Sequence, residues 1–377
     1  MYFIKQAIEE IIIPYDGTVP LTHFLKQYFK AHPKLGSRDR RAISDAVYTY
    51  YRVARFYPAA QYTLWDIIQH GLSSGKLQNP FLEKALAASA TQTIAQVSEK
   101  PFEALAFSEG MDAAVWHASI ATQPLLFIRM RKHIPGIIQR LQEQAIVFQQ
   151  LGNQALSITN GAQIDKILKP SDYVVQDWSS QRSLDLFLQT AVPDKQKELR
   201  VWDTCSGAGG KILLLKDLLP EAAILSTDIR ESILHNLKER ARLYGHKKIA
   251  TKIVDSSSAL EVSQMMDTDF DLVLCDVPCS GSGTWARTPE QFHFFDPKRL
   301  ADFAALQFSI ADNACTKVKP GGYFLYITCS VFAAENEAVV TKLLAHHPEL
   351  SLIQSQLRNG IEDRADSMFV ALFRKAS

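Results

Sequence analysis

The chain has 377 residues, 47% of them hydrophobic and 21% charged, long enough for two or three domains with their own cores and too apolar for a disordered or fibrous chain. Lys plus Arg number 41 against 40 Asp plus Glu, a formal net charge of +1, so no global field attracts nucleic acid or an acidic membrane and any nucleic-acid contact must come from a local patch. The five cysteines, Cys205, Cys275, Cys279, Cys315 and Cys329, are odd in number and confined to the second half, which excludes a disulfide framework.

No apolar run approaches the roughly 18 residues of a membrane span, and Ile11-Ile12-Ile13 follows Glu9 and Glu10, unlike a secretory signal. A monomeric, cytoplasmic protein without a metal site is expected. From Leu21 to about Ala121 apolar residues recur at helical spacing, as in Leu25, Tyr28 and Phe29 or Ile43, Val47 and Tyr50, which predicts a helical domain over 1–121. Within it Lys26, Lys30, Lys34, Arg38, Arg40, Arg41, Arg52 and Arg55 face only Asp39 and Asp45, a local net of +6, with Tyr48, Tyr51 and Phe56 interleaved. Such a stretch is either a solvated amphipathic helix pair or an RNA-contacting surface.

Leu125 to Arg131 reads as a strand and Gly136 to Leu151 as a helix, a small α/β module over 122–172. From Leu199 onward short apolar strands alternate with helices, the pattern of βαβ units in a doubly wound parallel sheet, giving an α/β, Rossmann-like domain over 173–377. Predicted strands are Leu199 to Trp202, Ala223 to Thr227, Thr251 to Val254, Phe270 to Cys275 and Tyr323 to Thr328. One helix runs from Glu231 to Tyr244 and stops at Gly245; another starts with Asp296 as N-cap and Pro297 next, and runs to Pro320-Gly321-Gly322.

The turn Asp203-Thr204-Cys205-Ser206-Gly207-Ala208-Gly209-Gly210-Lys211 lies directly after the first strand of the sheet and before a helix, where backbone N–H groups meet a ligand. The glycine spacing fits neither a P-loop nor G-x-G-x-x-G. Asp203 before the glycines, Asp228 (with Arg230) ending the second strand and Asp255 ending the third match instead an S-adenosylmethionine fold. There the second-strand carboxylate takes the ribose hydroxyls and Asp255 the adenine amino group. Cys205 is expected to pack under the turn while its backbone joins Ser206 to Lys211 around the cofactor.

Phe270 to Asp276 leads into Val277-Pro278-Cys279-Ser280-Gly281-Ser282-Gly283, and the next strand ends in Thr328-Cys329-Ser330. Neighbouring strands would thus present Asp276, Cys279 and Cys329 to one crevice. Two thiols beside a methyl donor suit cytosine C5, a poor nucleophile until a thiolate adds to C6. Cys275 and Cys315 read as packing residues, and zinc is disfavoured because Cys275 and Cys279 are not in C-x-x-C spacing.

These two motifs, with Glu335-Asn336-Glu337, Val175 to Gln181, Asp203 to Lys211 and Ser367 to Ala371, resemble the Sun (Fmu/RsmB-type) family of RNA cytosine-5 methyltransferases over roughly Tyr173 to Lys375. Leu35 to Arg41 resembles less tightly the NusB-like helical domain of its bacterial rRNA members. The resemblance implies that Cys329 adds to C6, Asp276 hydrogen-bonds the N3 edge, Lys211 supports Asp276 or the base, Cys279 helps remove the C5 proton, and Arg287 contacts RNA phosphate. It also implies S-adenosylmethionine as cofactor and 16S rRNA as substrate. The family usually carries Pro where Ala208 stands, and Ser206-Gly207 gives a different turn. The alternatives are a tRNA cytosine-5 methyltransferase, a DNA-type enzyme using Pro278-Cys279, a non-catalytic RNA-binding assembly factor, and, more distantly, a nicotinamide oxidoreductase.

Overall fold

The computed structural model describes all residues except 1, 58–60, 75–78, 87–93, 95–98, 192–197 and 266–268. Two compact units emerge. The first comprises Met1–Ala106, Asp112–Pro124 and Gly281–Pro297, and the second Phe107–Met111, Leu125–Ser280 and Lys298–Ser377. No helix among the described residues is long and apolar enough to cross a membrane.

The second unit holds two sheets. Strands β1 (Leu126–Met130), β2 (Phe148–Leu151), β3 (Ala155–Ile158) and β4 (Tyr173–Val175) form an antiparallel sheet in the order β2-β3-β1-β4. Strands β5 (Arg200–Asp203), β6 (Ala223–Asp228), β7 (Ile249–Ile253), β8 (Phe270–Asp276), β9 (Val318–Thr328), β10 (Leu350–Arg358) and β11 (Met368–Lys375) form a seven-stranded sheet in the order β10-β11-β9-β8-β5-β6-β7. Its strands from β9 to β7 are parallel, and β11 runs antiparallel to β9 and β10.

The large sheet is buried on both faces, which is why its central strands read as nearly unbroken apolar runs. Trp202, Val273, Cys275, Phe324 and Tyr326 pack on one side with Ile310, Ala314 and Cys315, while Val201, Leu272, Leu274, Leu325 and Ile327 pack on the other with Ile212 and Leu215. The alternation of strand residues between the two sets is the period of two expected of a pleated strand. Helix Glu231–Tyr244 ends at Gly245 as expected, with the glycine at φ 71°, the left-handed conformation that closes helices cheaply.

Two predicted helices are corrected. The stretch 136–151 divides into a helix, Ile134–Glu143, and strand β2, because Ala145 takes φ 51° and breaks the helical path before Val147 and Phe148. The helix expected from Asp296 begins at Arg299 and ends at Cys315, preceded by a separate short helix, Pro289–Phe294. Strand β9 starts at Val318 and runs straight through Pro320-Gly321-Gly322, where a register shift opposite Phe270 and Leu272 absorbs the irregularity.

The small four-stranded sheet shares a unit with the large one, and its Arg129 and Arg131 both bind Asp217, on the helix Gly210–Leu218. Residues 281–297, which follow the Pro278-Cys279 motif, fall into the first unit.

That unit is built on helices Tyr2–Ile12, Leu21–Ala31, Ser37–Val53, Leu64–Ser74, Pro80–Leu86 and Ala113–Ile120. Ile4, Ile8, Ile11, Leu25, Ile43, Val47 and Ile68 form its core. Trp285 and Phe292 are buried within it against Trp116 and Phe102, and Trp116 Nε1 donates to the Ser282 carbonyl at 3.1 Å.

The positive stretch separates into two groups. Lys26, Lys30, Lys34, Arg38 and Arg41 are exposed, whereas Arg52 is buried and donates to the Ala286 carbonyl at 3.0 Å. Arg55 spans the carbonyls of Phe292, His293 and Phe295 at 2.7, 2.9 and 2.8 Å and lies 4.3 Å from the Phe102 ring centroid. Tyr51 and Phe56 are core residues, not stacking platforms. Arg55→Ala should therefore destabilise the first unit by about 3 kcal/mol, because three carbonyls lose a charged donor together. Urea unfolding followed by tryptophan fluorescence measures it, and a loss below about 1 kcal/mol would show the contacts to be incidental.

Candidate active site

The C-terminal ends of β5, β6 and β8 bring Asp203, Asp228 and Asp276 to one edge of the sheet. After β5 the chain turns through Thr204–Gly209 into the helix Gly210–Leu218. Gly207 and Gly209 take φ of +51° and +79°. A Cβ on Gly209 would lie 2.1 Å from Leu237 Cδ1, whereas one on Gly207 or Gly210 would meet nothing within 4 Å. One side of the turn thus packs on the helix Glu231–Tyr244 while the other faces open space. Ala208 is exposed on this turn, and the Ser206 N–H and hydroxyl both donate to the Thr227 carbonyl, at 2.8 and 2.9 Å. Two bonds from Ser206 thus hold the turn, with Ala208 at its exposed position.

Asp228 accepts from the Gly207 N–H at 3.0 Å through Oδ2, and from the Arg230 N–H and Nε through Oδ1, both at 3.0 Å. Burial pushes its carboxyl up, but the bonds from Arg230 and Gly207 outweigh it and hold the group below the usual carboxylate range. Asp203 is almost completely buried, and its Oδ1 has no hydrogen-bond partner. Burial, then the charge of Asp276, push its carboxyl well up. Cys205 packs against the sheet core, and burial raises its thiol to about 12. Asp255 follows β7, and its Oδ1 accepts from the Ser257 N–H and hydroxyl at 2.9 and 2.6 Å, the arrangement of a turn cap. Beside Asp228, Ile229 is 64% exposed, an open apolar surface that the carboxylate pattern gave no reason to single out.

Strands β8 and β9 are neighbours, with Asp276 opposite Ile327. Their exits place Cys279 Sγ 3.1 Å from Cys329 Sγ, and the Cys329 N–H donates to Cys279 Sγ at 3.4 Å. Lys211 Nζ donates to Asp276 Oδ2 at 2.5 Å. Asp276, Cys279 and Cys329 are each half-buried. The Cys279 thiol is pushed well above its ordinary range by its hydrogen bond to Cys329, then by burial and the nearby Cys329 and Glu335 charges. Cys275 and Cys315 are buried in the sheet core, where burial raises both thiols. The sequence-predicted Lys211, Asp276, Cys279 and Cys329 are thus assembled on one strand edge with Asp203 and Asp228. Arg287 lies half-buried in the first unit.

Residues 190–373 match the family model described as 16S rRNA methyltransferase RsmB/F. Over 181 residues the chain is 29% identical to ribosomal RNA small subunit methyltransferase B of Serratia proteamaculans, covering 48% of this chain and 40% of that one. The chain therefore spans about two fifths of the length of the curated relatives it matches. In fold it is similar to the crystal structure of PH0851, with a TM-score of 0.74 at 18% identity over 99% of this chain and 98% of that one. It is also similar to NSun6 from Pyrococcus horikoshii, solved with SFG, with a TM-score of 0.57 at 15% identity over 68% and 92%.

Proposed function

The chain belongs, through residues 190–373, to the RsmB/F methyltransferase family, and from that premise we propose that it methylates C5 of a cytosine in RNA, using S-adenosylmethionine, with 16S rRNA as substrate. The observation that carries this reading is the pair of thiols 3.1 Å apart, with the Lys211–Asp276 pair on the same strand edge. The small-subunit relatives support rRNA over tRNA.

The residues present fit the cofactor. The open face of the Gly207–Gly210 turn leaves room for its polar end, Asp203 Oδ1 is a buried acceptor without a donor, and Asp228 is a carboxylate at the end of the second strand. Ser206 to Lys211 would line the methionine side, Asp228 the ribose, and Ile229 and Asp255 the adenine. The fold neighbour solved with SFG, an analogue of S-adenosylmethionine, supports that choice. When bound, S-adenosylmethionine supplies an electrophilic methyl on a sulfonium.

The chain's own residues would do the rest. The Cys329 thiolate forms the S–C6 bond, and the electrons of the C5–C6 double bond move onto C5 and toward N3. Asp276, resupplied by Lys211 at its Oδ2, hands N3 a proton where that density collects and takes it back when the double bond re-forms. After C5 is methylated Cys279 helps take the C5 proton, the double bond re-forms, and the S–C6 bond breaks to return the thiolate. The base must be unstacked to reach the thiol, by its place in a loop or by flipping.

The test incubates the full chain and S-adenosylmethionine with 16S rRNA and, separately, tRNA transcripts, and digests the products for nucleoside mass spectrometry. 5-Methylcytidine in 16S rRNA alone is expected; product in tRNA alone overturns the rRNA assignment, and no product with no cofactor binding at millimolar concentration overturns the enzyme. Asp228→Ala should weaken S-adenosylmethionine binding by roughly 10- to 100-fold, as two charge-assisted hydrogen bonds are lost. Calorimetry reads this directly, and unchanged affinity would remove Asp228 from the site.

A further inference from the structure

Behind the two thiols lies a fully buried polar network that none of the proposed catalytic roles uses. Glu335 and Asn336 have no exposed surface, nor does Gln307. Glu335 Oε1 accepts from the Ser280 N–H at 2.8 Å and from Gln307 Nε2 at 2.9 Å. Its Oε2 accepts from the hydroxyls of Ser280 and Ser330, both at 2.5 Å. Four donors fill the four lone-pair sites of one carboxylate. Ser280 follows Cys279 and Ser330 follows Cys329, so this one group bridges the two loops that carry the thiols. Gln307 Nε2 also donates to the Pro278 carbonyl at 3.0 Å, gripping the first loop from its other side.

Asn336 braces the second loop. Its Oδ1 accepts from the Thr328 hydroxyl at 2.5 Å, and its Nδ2 donates to the Ser330 carbonyl at 2.9 Å and the Ser108 hydroxyl at 2.7 Å. Ser108 comes from Phe107–Met111, a short segment more than 200 residues upstream that belongs to the same unit. Its N–H donates to the Val331 carbonyl at 2.8 Å, its hydroxyl to Glu337 at 3.0 Å, and Phe107 forms a β-bridge with Phe332.

We propose that Glu335 is a positioning residue that sets the spacing of Cys279 and Cys329, with Ser108 and Asn336 as its outer brace. The proposal rests on the cysteine-adduct reading. The two loops leave neighbouring strands, and a buried carboxylate with every site filled admits one arrangement of its donors. Its charge also raises the Cys279 thiol, which makes its thiolate the stronger base for the C5 proton. Glutamine has the same shape, and its amide N–H₂ can face the two serine hydroxyls, which can rotate to accept. Glu335→Gln therefore removes the charge and keeps the bridge, whereas Glu335→Ala removes both.

The experiment compares the parent chain with Glu335→Ala, Glu335→Gln and Ser108→Ala. Thiol spacing is read by the rate at which diamide, which takes up both thiol hydrogens, joins Cys279 to Cys329. Glu335→Ala should slow this crosslink about tenfold and lower kcat about 100-fold with KM for the cofactor unchanged. Glu335→Gln should crosslink like the parent, but the pH midpoint for alkylation of Cys279, followed by peptide mass spectrometry, should move down. Ser108→Ala, which keeps the carboxylate bridge, should slow the crosslink by an intermediate factor and serves as the readout if Glu335→Ala does not fold. Parental crosslinking and kcat in Ser108→Ala, and in Glu335→Ala where that variant folds, would overturn the proposal. If the parent crosslinks but never captures 5-fluorocytosine RNA, it is the cysteine-adduct reading that fails, since the crosslink needs no RNA.

Discussion

Cys329→Ala is expected to abolish covalent capture of RNA carrying 5-fluorocytosine and to lower methyl transfer by about 10⁴-fold or more, the scale of losing a covalent nucleophile. Cys279 is close enough to reach the same base, but it is a poor substitute. Burial and the Glu335 charge still raise its thiol after the hydrogen bond to Cys329 is gone, and a protonated thiol is a weak nucleophile. Cys279→Ala should behave in the opposite way. It retains the nucleophile and forms the adduct, but release slows, so a complex with ordinary cytosine RNA survives denaturing electrophoresis. The two variants discriminate between chemistries as well as residues. If Cys279→Ala lost capture while Cys329→Ala kept it, Pro278-Cys279 would carry the nucleophile, as in the DNA enzymes.

The strand edge that holds these groups was legible because the evidence for it is local. Strands buried on both faces appear as short apolar runs, and predicted ends fell within a residue or two of β5, β6, β7 and β8. Each candidate group sits at a strand exit, so locating the exits located Asp203, Asp228, Asp276, Cys279 and Cys329. Contacts between distant stretches had no such signature. Arg52 and Arg55 looked like part of a positive surface because charge and spacing do not reveal that carbonyls more than 230 residues away receive them. The same holds for Ser108, whose short segment is unremarkable in sequence and meaningful only against Asn336 and Val331. Pro320-Gly321-Gly322 misled in the other direction, since a proline and two glycines usually end an element, but here a register shift lets β9 continue.

Asp276→Asn should lower kcat by roughly 10²- to 10³-fold, the cost of removing the group that gives a proton to the charge developing on N3. Lys211 Nζ lies 2.5 Å from Asp276 Oδ2 and fixes the carboxylate without taking its other oxygen. Asparagine matches the shape but gives up the charge that Lys211 grips, and its amide would turn a donor toward either Lys211 or the base. Cofactor affinity should change little, because Asp228 and the glycine turn stand on other strand exits. Burial will continue to raise the Asp203 carboxyl, but the contribution from Asp276 disappears, so Asp203 should titrate at lower pH in the variant. Lys211→Met, by contrast, leaves the Asp276 carboxyl in place but unanchored, and its kcat should fall less, by about tenfold. Single-turnover kinetics with calorimetry separate the two cases. Asp276→Asn within threefold of the parent rate, with Lys211→Met the slower variant, would reverse the assignment and make the lysine the group that meets the base.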